Sequence, residues 1–522
     1  MSSRFTITTA IDYTNAAPHI GHAYEKILAD VIARFQRLRG REVLFITGVD
    51  QHGQKVKQAA ENKGISPQEF ANSVTAKFTS LWDALGISYD RWAATTDPTH
   101  KEVVRKILRK LYEAGDLYKS THSGFYSVRQ EQFLTDKDRN EAGEFGPEWG
   151  EVTSLQEDNW YFRLTSHFSW LLKFVESHPE FVLPGFRQAE VINALRRGGQ
   201  DLCISRPKSR LSWGIELPFD SEFVTYVWFD ALINYISFAG YLASDPEEEK
   251  RFWDHWPALH VIGKDIMVPA HAIYWPIMLH AMGFSDERIP RLLVHGWWNR
   301  KGLKISKSLG NAVDPVELVS RYGSGPLRYY FVRDIATGQD ADFNEERLVM
   351  LYNSELANGI GNLLNRTLNM AHRYLGGAIR SECGFPEGEA LRQERRFLAE
   401  QYFVYMEAFE INSAIDVINK IATLSNIFAE NTAPWALAKD PSQKERLEGV
   451  LKTLCESIWL IASLLTPILP RESTAMLQQL NMKPINFSTP NLDISLIAPL
   501  IVGKPTPVFP KIELESDQQM RP

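Results

Sequence analysis

The first fifty residues commit the chain to a parallel sheet. "FTITTAI" alternates apolar and polar side chains up to Asp12, the period of a strand. From Ala23 to Leu38 the apolar residues Ile27, Val31, Phe35 and Leu38 fall at helical spacing, with Gly40 as a stop. "EVLFITG" reads as a second strand. A strand, a helix and a strand in such a short stretch form a βαβ unit, whose strands run parallel through a right-handed crossover.

With 522 residues, 44% of them apolar, the chain exceeds one core and predicts several domains. Residues 1–117 carry the first half of the parallel-sheet domain. In 118–215 the rhythm breaks into mixed aromatics, charges and turn residues, which reads as an insertion. "HVIGKD" and "RLLVHGW" return as short buried strands, so 216–345 reads as the second half. In 346–503 the runs 355–375, 395–426 and 445–466 have helical spacing and predict an α-helical bundle. The stretch 504–522 is rich in proline and charge and is expected to be a flexible tail.

Several classes are excluded early. The net charge of −7 announces no polyanion partner, so any nucleic-acid surface must be a local patch. Three scattered cysteines, Cys203, Cys383 and Cys455, cannot form a disulfide scaffold or a thiolate zinc cluster. No run is long and apolar enough to span a bilayer. The opening "MSSRFTITTAIDY" enters a strand at once and leaves no room for a targeting peptide, which predicts a cytoplasmic protein.

Two motifs carry chemistry. In "AAPHIGHAYEKILAD" a strand end leads into a helix, where free N–H groups and a partial positive charge make an anion site. Gly21 lets a ligand lie against the backbone. His19 and His22 share a face of the first turn and can both donate to a phosphate. From this stretch alone, two histidines bracing a helix start remain an alternative. The second motif, "GLKISKSLGN", sets Lys304 and Lys307 three apart in a glycine-bounded loop, suited to a pyrophosphate leaving group. From Gly296 to Arg333 seven cations face two acids, a net +5 within an acidic chain.

"HIGH" and "KISKS" resemble the two signatures of class I aminoacyl-tRNA synthetases. "TGVDQHGQK", "YVWFDALINY", "HVIGKDI", "HAIYWP", "ANGIGNLLNR" and "TAPWALAK" are similar, almost end to end, to the methionyl-tRNA synthetase family of bacterial type. The resemblance implies an α/β Rossmann-type catalytic domain with an inserted connective domain, then an all-α helical-bundle anticodon-binding domain. It implies ATP with Mg²⁺, methionine, and initiator and elongator methionine tRNAs as substrates. By resemblance His19 and His22 contact the triphosphate, Gly21 lies against the adenine, and Gly263 and Asp265 hold the ribose. Glu25 and Ile305 complete the ATP site, and Lys304 and Lys307 stabilise the departing pyrophosphate.

Methionine needs a narrow apolar slot with polar anchors at one end. Trp228, Ala231 and Tyr235 lie on one helical face; spacing alone favours core packing, and the resemblance makes them pocket walls with Ile11, Tyr13, Ile266 and His271. Asp50 would take the α-ammonium ion, since a carboxylate beneath an apolar pocket needs a cationic partner. Two departures stand out: Leu232 replaces a common proline, and the segment from Asp265 to Trp275 is expected to differ by one residue. No long editing insertion is present, which favours methionine over valine, isoleucine and leucine.

In the helical region Asn358, Asn362 and Arg366 form a polar stripe opposite Ile360, Leu364 and Leu368, by pattern alone a solvated amphipathic face. Amide and guanidinium groups can read unstacked bases, and Trp435 offers a stacking platform. The resemblance assigns all four to the anticodon. In the insertion, Ser127, Gln130, Gly146 and Trp149 stand where relatives carry zinc-knuckle cysteines, so no structural zinc is expected. The dimerising C-terminal module common in the family is not found, which predicts a monomer. A small-molecule adenylyltransferase also uses HxGH, but the lysine loop and helical appendage argue against it. An RNA-binding paralogue without catalysis is disfavoured because both motifs are intact.

Overall fold

The computed structural model describes the chain apart from residues 1–2, 128–131, 135, 137–138, 141, 301, 305–312, 381–383, 489–494, 497–498 and 514–522. At 122, 132–133, 148, 155 and 303–304 it describes the backbone alone.

A seven-stranded parallel sheet organises the N-terminal half. Strand β1 (Arg4–Thr9) continues into the short β2 (Asp12–Tyr13) before helix α1 (Ile20–Leu38) and strand β3 (Glu42–Asp50). β1 pairs parallel with both β3 and the strand Ala258–Gly263, which pairs parallel with Arg291–His295. The expected βαβ unit is therefore present. Both faces of the sheet are covered, so the alternating β1 buries its threonines Thr6, Thr8 and Thr9 as well as Ile7, and Phe45, Val49 and Val261 are fully buried beside it.

Helix α1 begins at Ile20, three residues before Ala23, where the sequence places the start of the helical run. His19 caps it and Gly21 and His22 lie inside its first turn. Cap chemistry rather than apolar spacing sets this start.

The segment 118–215 is not wholly separate from the sheet. Leu117–Ser127 and Val152–Phe162 form the centre of a four-stranded antiparallel sheet, as an insertion would. Val182–Leu183, however, pairs parallel with Leu292–Leu293 and forms an edge of the main sheet. A two-residue strand carries too little periodicity to be read in sequence.

After residue 345 helices dominate. The run 395–426 is two helices, Pro386–Glu407 and Ile411–Thr432, broken where Phe409 takes φ 61°. With Lys444–Leu465 and Pro470–Leu480 they pack as a bundle. Buried Arg328 ties the bundle to the sheet domain: its guanidinium pairs with Asp30 at 2.7 Å and donates to the carbonyls of Pro467 and Ile468. The tail is ordered in part, correcting the flexible reading for 504–513. Phe509 is buried, and the Ile512 carbonyl accepts from Asn353 at 2.8 Å. Phe509 and the hydrogen bonds of Thr506 with Gln479 and of Ile512 with Asn353 together hold this segment against the bundle.

Candidate active site

At the start of α1 the two histidines cap one another's backbone. The Gly21 N–H donates to His19 Nδ1 and the His19 N–H donates to His22 Nδ1, each at 3.1 Å. The rings stack with centroids 3.7 Å apart. Because each Nδ1 accepts, each neutral ring carries its proton on Nε2 and keeps that N–H as a donor. The structural and phosphate-binding readings of this pair are thus compatible. A Cβ on Gly21 would stand 3.0 Å from the His19 ring, so a side chain there would press on that ring.

Around this turn lies a cavity of about 460 Å³. Its lining brings together fourteen residues singled out in the sequence: Ile11, Tyr13, His19, Gly21, His22, Glu25, Asp50, Trp228, Ala231, Tyr235, Gly263, Asp265, Ile266 and His271. They come from strand ends, α1 and the helix Val227–Ser237, at the carboxyl end of a parallel sheet, where such folds bind ligands.

His271 belongs to this wall. The segment Met267–Tyr274 turns helically but is kinked at Val268, which takes the extended φ of −111° and ψ of 127°. The turn aims His271 at Tyr235, whose hydroxyl lies 2.7 Å from Nε2, while Nδ1 donates to the Ile266 carbonyl at 2.8 Å. Burial lowers the His271 pKa to about 4, so the ring is neutral at pH 7. Leu232, replacing the common proline, is buried in its helix without a break.

Asp50 ends β3 and is 6% exposed. Its Oδ1 accepts from the Thr95 hydroxyl at 3.3 Å and from the His52 N–H at 3.4 Å. The turn that carries it is braced from behind. Buried Asp230 accepts from His52 at 2.6 Å and lies 2.8 Å from His100 Nε2. The Trp213 indole donates to the Gln51 carbonyl at 2.6 Å.

Burial alone would raise the Asp230 pKa, but the charges and hydrogen bonds of His52 and His100 outweigh it and lower the carboxyl to about 2. A carboxyl depressed from 3.8 stabilises the fold above pH 4 and loses that contribution as pH falls toward 2. Asp230→Asn should therefore cost about 1–3 kcal/mol at neutral pH. It should also flatten the fall in stability between pH 4 and 2, as urea midpoints measured across that range will report.

Lys307 and Ile305 lie outside the described residues, as does the side chain of Lys304. The strand Leu303–Lys304 pairs antiparallel with Trp298–Arg300, setting Lys304 opposite Asn299. The loop therefore leaves from the cavity rim, which Trp297 and Trp298 line. The local surplus of +5 is smaller in space than in sequence. Arg321, Arg328 and Arg333 pair with Glu345, Asp30 and Glu355, carboxylates from outside the basic segment.

Sequence reasoning missed Asp12, Lys26, His295, Gly296 and Trp297. "HGWW" after a strand was the available signal for the last three.

In the helical region Asn358 and Asn362 are exposed, while Ile360, Leu364 and Leu368 are buried. A π-helix over Tyr352–Gly361 changes the turn between Asn358 and Asn362, so the stripe is less regular than α-helical spacing implies. Arg366 and Trp435 come together from separate helices, the guanidinium 5.7 Å from the ring centroid and 2.7 Å from Glu430. In the insertion the Ser127 hydroxyl donates to the Trp149 carbonyl at 2.5 Å, and Gln130 lies outside the described residues. Among the described residues no group of three His, Cys, Asp or Glu could hold a metal ion, and no helix is long and apolar enough to cross a membrane.

A parallel sheet split by an insertion, with a histidine–glycine helix start at its carboxyl end and a helical bundle behind it, defines a class I aminoacyl-tRNA synthetase. The family described as "tRNA synthetases class I (M)" matches residues 5–142 and 149–368, and "Anticodon binding domain of methionyl tRNA ligase" matches 382–521. The chain belongs to the methionyl-tRNA synthetase family. It is 40% identical to a methionine–tRNA ligase of Nostoc sp., covering 98% of this chain and 97% of that protein. To a Fusobacterium nucleatum methionine–tRNA ligase it is 38% identical over 99% of this chain and 81% of that protein. It superposes on Mycobacterium tuberculosis methionyl-tRNA synthetase in complex with methionyl-adenylate with a TM-score of 0.90 and 36% identity, over 98% of this chain and all of the other.

Proposed function

We propose that this chain is a methionine–tRNA ligase, joining methionine to its tRNA through a methionyl-adenylate. The observation that carries the reading is the single cavity in which an anion-binding helix start, a buried carboxylate and an apolar aromatic wall converge. A methionine carboxylate oxygen attacks the α-phosphorus of ATP, the bond to the β-phosphate bridging oxygen breaks, and pyrophosphate leaves. A ribose hydroxyl of the terminal tRNA adenosine then attacks the methionyl carbonyl and releases AMP. The first nucleophile is already an anion, so the step needs positioning and charge cancellation rather than a base.

In this reading the Nε2–H groups of His19 and His22 donate to the triphosphate, and Lys304 and Lys307 take the pyrophosphate. Gly21, Glu25 and Ile305 contact the nucleotide. Gly263 and Asp265 hold its ribose. Asp50 binds the α-ammonium ion, and Ile11, Tyr13, Trp228, Ala231, Tyr235, Ile266 and His271 wall the side chain. Mg²⁺ arrives with the ATP phosphates, in keeping with its preference for phosphate oxygens and water over protein cages. Asn358, Asn362, Arg366 and Trp435 read the anticodon, and initiator and elongator tRNAs are both charged by a cytoplasmic monomer. In this reading the sheet domain activates methionine and the bundle binds tRNA.

Methionine-dependent exchange of pyrophosphate into ATP, followed by charging of methionine tRNA, tests the whole reading. Exchange that proceeds without methionine would favour the adenylyltransferase alternative, and no exchange at all the paralogue without catalysis. Trp435→Ala should lower kcat/KM for tRNA charging by about 5- to 150-fold, the worth of one stacked base, and leave exchange intact. Equal loss in both assays would assign Trp435 to folding.

A further inference from the structure

Lys26 is fully buried one turn into α1, beside the proposed triphosphate site. Its ammonium group has three hydrogens and three acceptors: the Ala10 carbonyl at 3.0 Å, Asp12 Oδ1 at 2.7 Å and Glu25 Oε1 at 2.8 Å. The group is therefore saturated and cannot itself reach a phosphate. What it touches is the cavity wall. Ala10 and Asp12 flank the end of β1, Glu25 stands on α1, and all three line the cavity. Glu25 Oε2 carries the contact onward to His295 Nε2 at 3.1 Å, at the end of the strand that Gly296 and Trp297 follow.

Two carboxylates in the wall of an anion site pose a problem that this lysine answers. Asp12 and Glu25 are 4% and 6% exposed. Without a cation they would repel an incoming triphosphate across a weakly screening interior. Burial pushes the Asp12 carboxyl up to about 7 even with Lys26 beside it. Burial opposes the Glu25 charge too, but the Lys26 ammonium and the His295 hydrogen bond keep that carboxyl below its usual value. Asp12 Oδ2 is buried with no hydrogen-bond partner among the described residues; Lys26 at 2.7 Å is the cation that bonds this carboxyl, and His22 Nε2 stands further off at 3.9 Å from Oδ1.

We infer that Lys26 is a positioning residue for ATP: it neutralises Asp12 and Glu25 and ties the end of β1 to α1 before the nucleotide enters. The inference rests on the methionine-activation reading and adds to it a residue that never touches substrate. Its effect is specific to the anion. Loss of the ammonium raises the KM for ATP and leaves the methionine slot, anchored by Asp50 and the Trp228 face, nearly unchanged.

The test is pyrophosphate exchange with the full chain and two variants, Lys26→Met and the neutral pair Asp12→Asn with Lys26→Met. In Lys26→Met the KM for ATP should rise at least about tenfold and the KM for methionine by less than about threefold. In the double variant the ATP KM should return to within about threefold of the parent value, because Glu25 is then the one charge left of the three and the net charge is that of the parent. Equal rises in both KM values, or a double variant no better than the single, would overturn the assignment. If Lys26→Met does not fold, the double variant decides alone: a near-parent ATP KM supports the role and a tenfold rise overturns it. A parent chain without methionine-dependent exchange would overturn the activity itself, and the role of Lys26 with it.

Discussion

Replacing Lys307 by alanine lowers methionine-dependent pyrophosphate exchange by about two to three orders of magnitude, while the affinity for methionine stays within a few-fold. The size follows from the chemistry. Negative charge builds on the leaving pyrophosphate only as the bond to the α-phosphorus breaks, so a cation placed there stabilises the transition state more than the ground state. Removing one preorganised donor of this kind costs about 10²–10³ in rate. The strand Leu303–Lys304, which precedes Lys307 in the chain, pairs with Trp298–Arg300, next to Trp297 and Gly296 on the cavity wall. Three of the other cations in the basic segment already hold carboxylates elsewhere, so they cannot stand in for it. Exchange at the parent rate would refute this role.

Asp50→Asn has the second large effect. Asparagine keeps the shape of the side chain and its contacts to Thr95 and His52 but removes the charge. With a nearly buried carboxylate facing an ammonium ion, removal of one partner costs about 2–5 kcal/mol, which is roughly 30- to 5,000-fold in kcat/KM for methionine. The KM for ATP should move far less, and thermal stability should change little because the turn is held by Asp230, His52, His100 and Trp213. A methionine KM equal to that of the parent would show that the ammonium ion is bound elsewhere.

Local patterns were readable in the chain because they depend on neighbours in sequence. The βαβ unit, the histidine–glycine helix start and the Trp228 face each lie within one or two elements, and their periods and cap residues announce them. The junction at Phe409 escaped because apolar spacing runs on through both helices while one residue of positive φ breaks them. The basic surplus near the lysine loop misled for a related reason: charge counted along the chain says nothing of Asp30, Glu345 or Glu355, which arrive through tertiary contact. Lys26 went unremarked in the sequence, where apolar spacing marks a single face of α1, yet that helix is buried on nearly every side and the lysine lies inside. His295 meets Glu25 across 270 residues, a pairing that no local rule contains.

The central claim is that the early histidine pair and the late lysine pair hold one triphosphate between them. A crystal structure of this chain with methionine and a non-hydrolysable ATP analogue tests it most directly. The account predicts His19 Nε2, His22 Nε2 and Lys307 Nζ each within about 3 Å of oxygens of the same triphosphate. Histidines and lysines found in separate clefts, with the phosphates touching only one of them, would contradict it.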